Sequence, residues 1–157
     1  MKFKLPNILV IIVSGLFSIP LIAGNYFYSG SQTYSCSGKQ KFYLNEAEFM
    51  NMQLKINVYK EKVSMSVKGT FHQADGTKSN IYRQGIYQYN SINDKLYEAK
   101  LLTIRRFFID NSPEILSKNI FGIEVGQSRN FRMQKIRNDL MVFGSEYTWL
   151  YICQLID

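Results

Sequence analysis

Apolar and polar residues alternate along two neighbouring stretches of the chain. Met52, Leu54, Ile56 and Val58 fall on every second position, with Gln53, Lys55 and Asn57 between them. Val63, Met65, Val67 and Phe71 continue the phase, separated by residues such as Ser64, Ser66 and Lys68. A period of two turns one face of an extended chain inward and the other to water, so both stretches predict half-buried strands. Lys60-Glu61-Lys62 joins them. The Asp75-Gly76 pair that follows suits a turn with positive φ, so two hairpins are expected in succession. Weaker alternation predicts a third strand over 80–89 and a fourth over 95–108, with a turn at 91–94. Ser112, Pro113 and Glu114 supply a capping residue, a first-turn proline and a first-turn acid, predicting one or two helical turns over 113–118. Strands then resume over 129–136, turn at 137–139, and run through 140–143 and 147–155. The expected fold is mainly β: an antiparallel sheet forming a partly closed barrel or a sandwich, with one short helix.

The first 28 residues follow a different pattern. No charged residue occurs over 5–28, and 8–23 is almost continuously apolar, long enough to cross a hydrocarbon layer of about 30 Å as a helix. Lys2 and Lys4 precede this segment and no charge follows it until Lys39, which places the N-terminus in the cytoplasm by the positive-inside rule. Tyr26, Phe27 and Tyr28 stand where an interfacial aromatic belt belongs. A cleaved secretory signal is the alternative. It fits less well, because Leu21 or Ile22 would occupy a position where the peptidase requires a small side chain. The expected organisation is therefore an anchor over 1–28, a short polar tether over 29–35 and an outer β-rich domain over 36–157. The membrane lipid would be met through the N-terminal helix alone.

That orientation changes how the cysteines are read. There are two, Cys36 just past the tether and Cys153 near the end. In an exported domain a bond between them would close almost the whole outer domain into one loop. Two unconnected buried thiols are the other possibility. The formal charge is +7, and removing Lys2 and Lys4 leaves +5 on the rest. Its basic residues, among them Arg105, Arg106, Arg129, Arg132, Lys135 and Arg137, run singly along predicted strands. A nucleic-acid binder would gather them on one face, so direct nucleic-acid binding is not expected.

Candidate chemistry is sparse. His72 is the single histidine, on the polar phase of its strand, and with two distant cysteines it provides no metal-ligand spacing. Glu46 and Glu48 sit at strand spacing but with no apolar pocket indicated to raise a pKa. No nucleophile–base pairing and no phosphate loop is present, so neither enzymatic activity nor a cofactor or metal is expected. Tyr82, Tyr87, Tyr89 and Tyr97 gather across one predicted hairpin, either as cross-strand packing or as a ligand-binding face. Arg83 shares its strand phase with Ile81, Gly85, Tyr87 and Tyr89. It either meets a partner acid or, as the plainer option, snorkels out along an apolar face.

The order of these features resembles the FidL-like family of small inner-membrane proteins of enteric bacteria. The matching elements are the basic start and single span, Tyr34-Ser35-Cys36, Lys68-Gly69-Thr70 before Asp75-Gly76, Ile81-Tyr82-Arg83 with Tyr87 and Tyr89, Asp110-Asn111-Ser112-Pro113, and Tyr151-Ile152-Cys153. The resemblance covers nearly the whole chain and implies no catalytic activity. Some members are encoded beside membrane-spanning transcription regulators of the ToxR type, which implies an accessory protein whose outer domain contacts such a regulator. A lipocalin-like barrel sensing or carrying a small apolar ligand is the competing expectation.

Overall fold

The computed structural model describes residues 33–156, so the expected anchor over 1–28 and most of the tether lie outside the described residues. Eight strands follow one another: β1 (Tyr34–Tyr43), β2 (Phe49–Tyr59), β3 (Lys62–His72), β4 (Lys78–Ser91), β5 (Leu96–Arg106), β6 (Ser128–Arg137), β7 (Leu140–Ser145) and β8 (Trp149–Ile156). Each pairs antiparallel with the next, and β8 returns to β1, giving a closed barrel. The short helix α1 (Leu116–Phe121) lies in the connection between β5 and β6. Among the described residues no helix is long and apolar enough to cross a membrane.

The alternating residues of β2 and β3 behave as their period requires. Met52, Leu54, Ile56 and Val58 are buried and their intervening neighbours largely exposed, and Leu54 stands opposite Val67 and Ile56 opposite Met65. The Asp75-Gly76 turn also forms as expected. Gly76 takes φ +83°, and the Asp75 carboxylate accepts hydrogen bonds from the Thr77 N–H and hydroxyl. β1 shows no such alternation in the sequence. Gly38 and Gln40 occupy the phase shared by Cys36 and Phe42, so the strand is defined by its partners rather than by its own pattern. A side chain at position 38 would collide with the Ile152 carbonyl, which makes the absence of a Cβ a condition of the β1–β8 approach.

That approach is also where the cysteines act. Only Ser35, Cys36 and Ser37 pair with β8, the shortest seam of the barrel, and the Cys36–Cys153 disulfide staples it with the two Cα atoms 5.5 Å apart. The pairing of the two cysteines is thus established, and neither is free. The bond spans 117 residues of sequence and ties the first strand to the last.

The helix differs from its expectation in position. Pro113 and Glu114 form a preceding turn, their carbonyls accepting from the N–H groups of Leu116 and Ser117, and α1 proper ends at Gly122 with φ +76°. Ser112 does not cap it. Its hydroxyl is engaged by Asp110 and Arg83 instead, and the N-cap position falls to Ile115, which has no side-chain cap. Leu116, Ile120 and Phe121 face inward while Lys118 and Asn119 face solvent, so α1 plugs one mouth of the barrel. Tyr87 donates its hydroxyl to the Phe121 carbonyl at 3.0 Å and Tyr151 to that of Ile120 at 2.6 Å. Gly85 leaves room for the Phe121 ring.

Candidate functional site

The connection from Phe107 to Gln127 is held to the barrel by one buried charge cluster. Arg83, on the inner face of β4, is wholly buried and donates from Nε to Asp110 Oδ2 at 2.9 Å. Its remaining N–H groups reach the Ser112 hydroxyl at 2.9 Å, the carbonyls of Ser112, Pro113 and Glu114, and the Ser117 hydroxyl. Asp110 in turn accepts from the Tyr82 N–H at 2.8 Å, the Ser112 N–H and hydroxyl, and Arg106 Nε at 3.1 Å. Burial pushes the Asp110 carboxyl up, but the hydrogen bonds from Arg83, the Tyr82 N–H and Ser112 outweigh it and hold the group at about 2. A buried pair is tolerable only when its donors and acceptors are filled in this way. The plainer expectation for Arg83, snorkelling, is corrected. The partner acid lies 27 residues downstream on a segment that folds back over β4, which inspection of β4 alone does not reveal.

The cluster fixes what the same segment displays. Phe107 stacks on Tyr82 with ring centroids 4.1 Å apart, and Asn111 accepts from the Asn80 N–H at 2.6 Å. Between these ties Phe108 projects outward, fully exposed, with Ile109 beside it and Ile115 70% exposed just beyond. Three large apolar side chains thus stand in water on a segment held at its start by the Tyr82–Phe107 stack and from Asp110 to Ser117 by the buried arginine. Exposed aromatics on a rigid support are the usual anchors of protein–protein contacts, because little further ordering is needed when they bind.

The other residues singled out from the sequence are dispersed. His72 stacks on Phe49 at 4.2 Å and its Nε2 lies 3.3 Å from the Thr70 hydroxyl, an outer-face packing arrangement. Glu46 and Glu48 are not on a strand as expected. They belong to the β1–β2 connection, which Asn45 organises by accepting from the Ala47 and Glu48 N–H groups. Tyr82 faces outward toward Phe107, Tyr87 binds the plug, and Tyr89 and Tyr97 pack on each other and on Phe131. The four tyrosines therefore make no common surface. The basic residues are equally divided: Arg106 joins Asp110 and Glu114, Arg132 covers Trp149, Arg137 pairs with Asp139, and Arg129 donates to the Gly122 carbonyl. Among the described residues no three His, Cys, Asp or Glu side chains are grouped to hold a metal ion.

Beneath the C-terminal end of α1 the plug leaves a partly open cavity of about 110 Å³. Ile56, Met65, Phe121, Ile123 and Phe143 form its walls, and Arg129 and Leu150, its two exposed lining residues, mark its mouth. Burial raises the Tyr151 hydroxyl on its border to about 12, so that group remains a neutral donor to the Ile120 carbonyl. Ser117 was not singled out from the sequence, Ser112 was read there as a helix cap, and Asp110 was named only within the resemblance. No protein-family model matches this chain, and no curated protein sequence matches it significantly.

Proposed function

We propose that this chain is a non-enzymatic, membrane-anchored accessory protein. Its N-terminal segment crosses a bacterial inner membrane once, and its barrel stands on the periplasmic side and binds the outer domain of another membrane protein. The partner class we favour is a ToxR-type transcription regulator, which is what the FidL-like resemblance implies. The anchor rests on the uncharged apolar run over 8–23 and on the placement of Lys2 and Lys4. The disulfide accords with an oxidising compartment.

The observation that carries the binding role is the loop bearing Phe108, Ile109 and Ile115. Exposing these side chains gains the fold nothing, yet the buried Arg83–Asp110 pair holds them in one place. Confinement beside the membrane raises the effective concentration of such a surface toward another anchored protein. The carrier alternative has less support. Strand side chains together with Leu116, Ile120 and Phe121 fill the core, and the remaining cavity of about 110 Å³ is small beside the pockets of about 300–1,000 Å³ that enclose larger ligands.

In-cell photo-crosslinking of the full-length chain tests the reading, with the crosslinker placed at position 108 and, as a control, at the exposed outer-face position 55. Capture of a membrane regulator from 108 but not from 55, lost on changing Cys36 and Cys153 to Ser, is the expected result. Equal capture from both positions, or none from 108, contradicts it.

A further inference from the structure

We infer that the cavity beneath α1 is a binding site for a small apolar monocarboxylic acid, its hydrocarbon part enclosed by the barrel and its carboxylate held at the mouth by Arg129. The walls supply the first half of the argument. Ile56, Met65, Ala99, Phe121, Ile123 and Phe143 are hydrocarbon, thioether or aromatic side chains. The tyrosine hydroxyls on the border, of Tyr87 and Tyr151, are already committed to the Phe121 and Ile120 carbonyls. Water would find few partners there, and dry cavities of about 150 Å³ with such walls accept a benzene-sized guest. At about 110 Å³, with one side open, this cavity suits a chain of a few carbons or a single small ring.

The mouth supplies the second half. Arg129 is exposed, lines the opening, and takes part in none of the ion pairs among the described residues. One of its N–H groups donates to the Gly122 carbonyl at 3.3 Å, at the C-terminal end of α1, which positions the guanidinium and leaves its other donors available. An apolar tail beside a guanidinium favours an acid over the alcohol of equal length. One side of the mouth comes from a strand irregularity. Gly144 pairs with Trp149 immediately after Phe143 pairs with Tyr151, so Leu150 is left as the extra residue and turns to the opening.

The site is tested with the full-length chain in lipid nanodiscs carrying ¹³C-methyl methionine, titrated with hexanoate and with 1-hexanol. Met65 lines the cavity while Met50 and Met52 lie outside its lining, so their methyl signals report occupancy and fold integrity separately. Hexanoate is expected to shift Met65 saturably with a Kd of about 1 mM, the range open to a ligand of this size. Hexanol is expected to bind roughly tenfold more weakly, the worth of a hydrogen bond to a charged group. Arg129→Met, which keeps the apolar stem, should bring hexanoate to the level of hexanol without altering hexanol itself. Ala99→Leu, with Met50 and Met52 unperturbed, should abolish both. No saturable shift of Met65, or equal affinity for acid and alcohol in the unaltered chain, overturns the proposal. Neither result depends on how the Ala99 variant folds.

Discussion

The two halves of the barrel are built to different standards. From β2 through β4 the strands are long and in continuous register, with Phe49 to Tyr59 opposite His72 to Lys62 and Lys62 to His72 opposite Gln88 to Lys78. From β5 onward the pairing shortens and breaks. β5 meets β6 only between Leu96 and Lys100, and irregularities fall at Ile86/Tyr87, Lys135/Arg137 and Phe143/Gly144. The regular half is a wall whose inner face is filled by β2 and β3 side chains. The irregular half admits the plug, the cavity mouth and the exposed loop. Strand irregularities free backbone and side chains to do something other than pair, and here every candidate binding feature lies on or beside that half.

Four perturbations separate the halves, beginning with the largest expected effect. Arg83→Met leaves Asp110 buried without its guanidinium and should lower unfolding stability by about 3–5 kcal/mol. Hydrogen exchange should accelerate over 107–127 well before it does in β2 and β3. Uniform acceleration would show that the plug and the wall are one unit. Changing Cys36 and Cys153 to Ser removes the staple across the shortest seam and should lower stability by about 2–5 kcal/mol in urea titration. A smaller loss would mean that the backbone pairing of β1 with β8 suffices.

The acid limb of stability gives the third. Asp110 sits at about 2 in the folded chain, against about 3.9 for an unfolded aspartate. The stabilisation is complete above pH 4 and is lost as pH falls from about 4 toward 2, because the unfolded chain takes up the proton first. Urea midpoints measured across that window should fall steeply in the unaltered chain and less so in Asp110→Asn. Equal slopes would assign the acid sensitivity to other carboxylates. The smallest effect on stability is expected from Phe108→Ser, within about 0.5 kcal/mol, since the side chain is fully exposed.

The same division decides what was legible beforehand. The β2–β3 hairpin and the Asp75-Gly76 turn could be read because their signals are local: a two-residue period and a residue pair that tolerates positive φ. β1 was not legible as a strand, since Gly38 and Gln40 interrupt its inner phase and its place depends on β2 and β8. The helix was displaced by three residues because Ser112, a good capping residue by type, is taken by Asp110 and Arg83. Closure into a barrel rather than a sandwich rests on a contact between the first and last strands, for which only the two cysteines gave a hint. The plug and cavity depend on where a 21-residue connection folds back, from Phe107 to Gln127, and no period in the sequence encodes that.

The central claim is that the pinned loop is a partner-binding surface, and it is tested most directly by crosslinking from position 115 in cells, comparing the unaltered full-length chain with Phe108→Ser. Loss of the captured membrane partner, with the urea midpoint unchanged, is the predicted result. Undiminished capture by a chain that lacks the Phe108 ring would contradict it.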